Sequence, residues 1–359
     1  MTEWGEAPML FEQVAVGGCQ SYLVGCGDTC TALLIDPEYS LANRYQAFAA
    51  KHGLRIQYIV DTHTHADHFS GAKRLSEEFR APVVMHRLAP APYVDIRLDD
   101  GDVLKVGNLR FTALHTPGHT KDSMCLVAGD RVFTGDTLLI GATGRTDLPT
   151  GDPEELYESL FNKLLKLDPK LRVYPAHDYK GASCSHLSEE LRANPRLQQR
   201  DKAAFVDMMR TLNLQMPTHL TEALRVNMSG GVSVAQLLTD AAASVPFMSM
   251  AEVKKRLDQR SNDLVVLDVR EKDAFDEGHI PGARHVPRGQ LELRVNETFP
   301  DPTLHIVTYC EFGKISTLAA DTLRKMGFTR VVALDGGMKA WRELGYPVEA
   351  APGRGMLAR

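Results

Sequence analysis

The stretch Thr62-His63-Thr64-His65-Ala66-Asp67-His68 sets three imidazoles and a carboxylate within seven residues. One histidine is ordinarily a packed core residue or a surface residue. Three within six positions, with an aspartate among them, make the donor set of a metal site. The run follows Ile56-Gln57-Tyr58-Ile59-Val60-Asp61, an apolar segment that reads as a buried strand. If the extended backbone continues, His63 and His65 point the same way. Asp67 and His68 then fall where a helix spanning His68 to Phe79 is expected to begin.

Three later residues occupy similar places. His119 lies in Leu114-His115-Thr116-Pro117-Gly118-His119-Thr120, where Pro-Gly forces a turn beyond a strand. Asp136 follows Val132-Phe133-Thr134-Gly135, and the glycine permits close approach of the backbone. His177 closes Val173-Tyr174-Pro175-Ala176. Each alone is commonly a turn or cap residue, but their recurrence at strand ends is a pattern. This ordered set resembles the metallo-β-lactamase superfamily over roughly residues 8–230. The resemblance implies an αββα sandwich with metal ligands on loops at one edge of the sheets.

Within that superfamily the resemblance implies either of two chemistries. A hydrolase of the glyoxalase II type holds two metals, with Asp136 bridging and His65, Asp67, His68 and His177 recruited. A persulfide dioxygenase holds one iron(II) per chain on His63, His119 and Asp136, and the other four order ligands and water around it. Two imidazoles and one carboxylate suit iron(II), since positions stay open for substrate and dioxygen. Nitrogen and oxygen ligation suits zinc equally. Gly144-Arg145-Thr146-Asp147, Tyr174-Pro175-Ala176-His177-Asp178-Tyr179 and Asn194-Pro195-Arg196-Leu197 resemble phrases of the persulfide dioxygenases. That resemblance favours iron, and implies that Arg145 holds the carboxylates of glutathione persulfide while Tyr179 lines the same pocket. The plain alternative is a surface pair between Arg145 and Asp147.

At 359 residues the chain is expected to form two domains. Apolar residues at 43% and charged residues at 24% are ordinary for globular domains with ample core. A net charge of −5 gives no electrostatic footprint for nucleic acid or acidic membranes. No apolar run approaches the roughly 18 residues that span a bilayer. The acidic segment Met1-Thr2-Glu3-Trp4-Gly5-Glu6 lacks the features of a secretion or import signal, so a cytoplasmic bacterial protein is expected. Six cysteines over this length form no disulfide framework. Cys26 and Cys30 flank Gly27-Asp28-Thr29, expected at a hairpin tip as ordinary thiols. A monomer and a homo-oligomer both remain open.

Asn227-Met228-Ser229-Gly230-Gly231 has loop chemistry, and the linker is expected over 231–246, with a short helix conceivable within it. Ser249 and Glu252 then read as a capping box for a helix reaching Gln259. The apolar run Leu264-Val265-Val266-Leu267 and its successors alternate with helical segments, which argues a small α/β domain with a parallel sheet. Cys310 stands between a strand and a helix expected to open at Ser316. Unpaired backbone N–H groups and the helix dipole there favour a reactive thiolate. Leu267-Asp268-Val269-Arg270-Glu271, Glu277-Gly278-His279-Ile280-Pro281-Gly282-Ala283 and Leu334-Asp335-Gly336-Gly337-Met338-Lys339-Ala340-Trp341 resemble the rhodanese family. The resemblance implies attack by Cys310 on a sulfane sulfur and discharge of the resulting persulfide to a thiol or sulfite. Many members carry an arginine where this chain has Ile315. Glu311 beside the nucleophile is expected to repel anionic donors, partly offset by Lys314. Arg270 and His279 are read as fold-stabilising first.

The sequence therefore predicts an α/β protein: an αββα metallo-β-lactamase sandwich over 1–230, a linker over 231–246 and a rhodanese domain over 247–359. The function implied by both resemblances is oxidation of glutathione persulfide by O2 to sulfite and glutathione, joined to sulfur transfer through Cys310 among thiosulfate, sulfite and glutathione. The rival is a binuclear zinc thioester hydrolase carrying a non-catalytic persulfide-binding module.

Overall fold

Side chains alternate along the strands of the first unit, and both faces are apolar. In Cys19–Cys26, Tyr22 and Val24 join one cluster while Leu23 joins another. In Thr31–Ile35, Leu33 and Ile35 pack with Tyr22, whereas Ala32 and Leu34 pack with Leu23. A strand buried on both faces must lie in an inner layer covered on both sides. The computed structural model describes residues 9–218, 220–259 and 263–350, so the segment Met1–Glu6 and the tail beyond 350 lie outside the described residues. It divides the chain into two units, Met1–Ser233 and Val234–Arg359.

The first unit is an αββα sandwich. One six-stranded sheet runs in the order Met9–Val16, Cys19–Cys26, Thr31–Ile35, Arg55–Val60, Val83–His86, Ile96–Leu98. The other runs Ser185–His186, Arg172–Pro175, Arg131–Gly135, Met124–Ala128, Leu109–His115, Val103–Val106. Between them lie Tyr22, Phe111, Phe133 and Tyr174. Tyr22 and Phe133 approach to 5.1 Å between ring centroids, and Phe133 stacks on Tyr174 at 5.6 Å. Helices Ala42–Lys51 and Ala72–Phe79 cover the first sheet through Tyr45, Ala49 and Leu75. Leu156, Leu160, Phe205 and Met209 cover Cys125, Val132 and Val173 on the second.

Strand direction brings the loops together. Arg131–Gly135 pairs in parallel with Arg172–Pro175, so Asp136 and His177 emerge at one edge. Leu109–His115 and Arg131–Gly135 both pair antiparallel with Met124–Ala128, so His119 leaves by that edge too. The helix expected from His68 begins at Ala72, and residues 61–69 form irregular backbone. The expected linker 231–246 contains regular structure. Val234–Ser244 is helix and belongs to the second unit, where it packs on Lys314–Lys325. Asn227, read as loop, sits in the helix Leu220–Ser229.

The second unit is a five-stranded, wholly parallel sheet in the order Phe247–Met248, Arg330–Leu334, His305–Tyr309, Leu264–Asp268, Arg284–His285. Its helix Met250–Asp258 starts where Ser249 Oγ accepts a hydrogen bond from Glu252 N at 3.3 Å. Cys26 and Cys30 flank the turn joining two strands, and every cysteine among the described residues is free. No helix among the described residues is long and apolar enough to cross a membrane.

Candidate metal centre and reactive cysteine

The irregular segment after Arg55–Val60 is held from three sides. Asp36 accepts hydrogen bonds from Thr62 N at 2.7 Å and Thr62 Oγ1 at 2.9 Å. Asp122 accepts from Thr64 N at 3.0 Å and Thr64 Oγ1 at 2.6 Å. Asn227 Nδ2 donates to the carbonyls of His65 at 2.8 Å and His68 at 2.9 Å, and Asn227 Oδ1 accepts from Ser70 N at 3.0 Å. Asn227 is a positioning residue that sequence reading missed, because it lies 157 or more residues away from the backbone it grips.

The histidines and acids separate into three groups, in each of which the potential ligand atoms lie within 4.8 Å of one another. His63, His119 and Asp136 form the first. His119 Nδ1 is tied to the Arg145 carbonyl at 2.9 Å, which turns Nε2 to within 3.6 Å of Asp136 Oδ2. His63 Nδ1 meets Thr62 Oγ1 at 3.0 Å. Burial and the neighbouring His65 push the His63 imidazole down to about 3, so its lone pair is free at neutral pH. Burial works against an ionised Asp136, yet His177, His119 and His63 hold it well below the usual carboxylate range. Two imidazoles and an ionised carboxylate fit a divalent first-row metal. Gly135 permits this approach: its φ is +50°, and a Cβ there would stand 2.5 Å from Thr62 Oγ1.

His65 turns away from that centre. Although its ring lies 4.2 Å from that of His63, its Nε2 stands 3.2 Å from Asp36 Oδ1, in a fully buried group with Asp36 and Asp61. The expectation that His63 and His65 act in one direction therefore fails, because the backbone is not extended there. Burial and the Asp36 charge push Asp61 up to about 7. Asp67, His68 and His177 form the third group together with Cys19, which sequence reading did not single out. His177 Nδ1 lies 2.7 Å from Asp136 Oδ1, and its Nε2 lies 2.8 Å from Asp67 Oδ2. Burial opposes protonation of His68, but hydrogen bonds to Asp67 and Cys19 push it up to about 10.

A cavity of about 630 Å³ opens on the centre, lined by His119, Asp136, Arg145, His177, Tyr179 and Arg196 among others. Arg145 reaches it, but its guanidinium is spent: Nε and Nη2 bond Asp147 at 2.6 and 2.7 Å, and Nη1 bonds the Gln215 carbonyl at 2.7 Å. Arg196 has no acidic partner among the described residues. It donates only through Nη1, to Thr143 O at 2.7 Å and Thr143 Oγ1 at 3.1 Å, and burial lowers its pKa. Tyr179 is 73% exposed and stacks over His177 at 6.0 Å.

In the second unit Cys310 is buried at the end of His305–Tyr309, and Ser316 N donates to its Sγ at 3.4 Å. The helix opens at Lys314, two residues earlier than expected, from Gly313 at φ +85°. Glu311 does not stand as a bare charge beside Cys310. Its two oxygens accept from Arg270 Nη1 at 3.1 Å and Arg342 Nη1 at 2.9 Å. Arg270 also bonds Asp268 and the Gly278 carbonyl, each at 2.7 Å, and His279 stacks on Phe275 at 3.8 Å. Met338 N and Lys339 N bond the carbonyls of Cys310 and Glu311, and Gly337 leaves the room that this requires.

The metallo-beta-lactamase superfamily is matched over residues 14–177 and a rhodanese-like domain over residues 249–344. The chain is 37% identical over 231 residues to the mitochondrial persulfide dioxygenase ETHE1 of Homo sapiens, covering 63% of this chain and 90% of that protein. It is 38% identical to the crystal structure of ETHE1 from Myxococcus xanthus, with a TM-score of 0.61 over 62% of this chain and all of that one. It is also 34% identical over 198 residues to a hydroxyacylglutathione hydrolase of Pseudoalteromonas translucida, covering 55% of this chain and 74% of the relative.

Proposed function

The chain belongs to the persulfide dioxygenase family of the metallo-β-lactamase superfamily and carries a rhodanese-like domain, and from that premise we propose a bifunctional enzyme of sulfide oxidation. Its first unit converts glutathione persulfide, O2 and water into glutathione and sulfite. The observation that carries this reading is the grouping of His63, His119 and Asp136 apart from the other donors, as a set of two nitrogens and one carboxylate. Such a donor set keeps positions open for both reactants. Iron(II) in that position supplies the activation of dioxygen towards sulfur.

The protein's own groups do the rest. His63 stays neutral and Asp136 ionised at working pH, so neither ligand must exchange a proton. The Arg145 carbonyl and Thr62 Oγ1 hold the two rings in their orientation. Arg196 offers the unpaired guanidinium for a glutathione carboxylate, while Arg145 shapes that wall through Asp147. Tyr179 covers the mouth.

The second unit transfers sulfane sulfur. Cys310 attacks the outer sulfur of a donor, the donor's S–S bond breaks, and the cysteine persulfide is discharged to glutathione or sulfite. Ser316 N supports the sulfur at the helix start. The free cysteines agree with a reducing compartment, the bacterial cytoplasm.

Metal content measured with oxygen uptake on glutathione persulfide tests the first activity. About one iron per chain and one O2 consumed per persulfide are expected. Two zinc ions per chain and no oxygen uptake would establish the thioester hydrolase instead.

A further inference from the structure

We propose that Cys310 is loaded by an organic persulfide, R–S–SH, in preference to thiosulfate, and that Glu311, Phe312 and Ile315 set this preference. The inference rests on the reading of Cys310 as a sulfur-transferring nucleophile and names the donor that its rim is shaped for.

Ser316 N reaches back to Cys310 Sγ at 3.4 Å, so residues 311–315 form the rim around the sulfur. Cys310 itself is only 2% exposed, and a donor meets that rim before it meets the thiolate. The sulfonate end of thiosulfate, a dianion, is best held by the fork of a guanidinium. Two arginines stand at the rim, and Glu311 engages both. Its Oε2 accepts from Arg270 Nη1 at 3.1 Å and its Oε1 from Arg342 Nη1 at 2.9 Å. The rest of the Arg270 fork is held by the fully buried Asp268 and by the Gly278 carbonyl. Two carboxylates thus balance two guanidiniums, and the brace offers no net charge to a donor. The Glu311 backbone is fixed as well, since Lys339 N donates to its carbonyl at 3.0 Å.

The remaining rim is apolar where it meets solvent, with Phe312 66% and Ile315 51% exposed. Lys339 Nζ lies over the Phe312 ring at 5.9 Å and 3.8 Å from Glu343. Lys314, exposed in the first turn of the helix, is a point charge without a fork. An organic persulfide brings at most one negative charge on its sulfurs, and its carbon chain has Phe312 and Ile315 to lie against. In the loading step the Cys310 thiolate bonds to the outer sulfur and the donor's S–S bond breaks. The electron pair leaves with the inner sulfur as R–S−, which takes a proton from water, while the outer sulfur keeps its own proton. Nothing is oxidised or reduced overall.

The full chain is tested without oxygen, so that the first unit cannot consume the donor. It is mixed with glutathione persulfide or with thiosulfate, quenched with an alkylating agent at timed intervals, and each cysteine peptide is read by mass spectrometry for an added sulfur atom. Exposed Cys30 reports the intrinsic reactivity of each donor, and the Cys310 rates are divided by it. The normalised rate with glutathione persulfide is expected to exceed that with thiosulfate at least about tenfold. That ratio should fall at least about fivefold in Glu311→Gln, which releases the arginines, and in Ile315→Arg, which adds a fork at an exposed position. A ratio at or below unity, or one that neither variant moves, overturns the proposal. Failure of both donors to load Cys310 is a different result: it overturns the sulfur-transfer reading itself.

Discussion

His177 Nδ1 and Asp136 Oδ1 stand 2.7 Å apart, while the second oxygen of the same carboxylate lies 3.6 Å from His119 Nε2. One oxygen is anchored and the other is presented. Outer partners of this kind typically contribute about 10–100-fold in metal affinity. His177→Asn is therefore expected to weaken iron binding by about that factor in a chelator competition, whereas His63→Ala should abolish it. Unchanged affinity in His177→Asn would remove the anchoring role.

Asn227 grips the irregular segment 61–70 through three hydrogen bonds. Asn227→Ala strands two buried carbonyls and a buried N–H, each at a cost of about 1–3 kcal/mol. Denaturant unfolding should show at least about 3 kcal/mol of lost stability, together with weaker iron retention. A loss below about 1 kcal/mol would mean that water replaces the amide without penalty.

The two arginines of the cavity should behave differently. Arg196→Ala removes an unpaired cation, so KM for glutathione persulfide should rise about 10–100-fold with kcat nearly unchanged. Arg145→Ala breaks the Asp147 pair and the Gln215 contact, so the melting temperature should fall along with activity. A KM effect confined to Arg145→Ala would reverse these roles.

Asp61 lends stability a pH dependence whose sign can be worked out. Its carboxyl is raised from 3.8 to about 7 by burial and by Asp36. The folded state therefore keeps a proton that the unfolded state releases between those values. The favourable contribution is complete below pH 3.8 and lost as pH rises through 7. Asp61→Asn keeps an acceptor for Ser70 Oγ and cannot ionise. Relative to wild type it should gain up to about 4 kcal/mol on going from pH 4 to pH 8. Parallel stability profiles for the two proteins would show that Asp61 is ionised in both states.

Cys310→Ser should eliminate sulfur transfer from thiosulfate or glutathione persulfide and leave oxygen uptake intact. Transfer at the wild-type rate would show that another thiol carries the sulfur.

Much of this could be read from the sequence because strand ends announce themselves. His119, Asp136 and His177 each follow an apolar run, and parallel pairing brings two of those ends to one edge. Both domains were legible in the same way, from alternation of apolar segments and turn residues. What could not be read depended on irregular backbone and on distant partners. His65 looked equivalent to His63 until the loop between residues 61 and 69 rotated it towards Asp36. Cys19 belongs to a different strand, 48 or more residues from the acid and imidazoles it joins. Glu311 seemed an electrostatic handicap because Arg342, which shares its charge, lies 31 residues away.

His63 extends from the sheet containing Arg55–Val60, whereas His119 and Asp136 extend from the opposing sheet. An ion bound by all three is a rivet through two layers that otherwise adhere by apolar contact and a few hydrogen bonds, such as that from Tyr22 Oη to the Pro175 carbonyl. Slippage of one layer along the other would stretch the bonds to that ion before it disturbed the interior. Demetallation should therefore loosen the whole seam, with hydrogen exchange quickening first along the rim that carries these three residues.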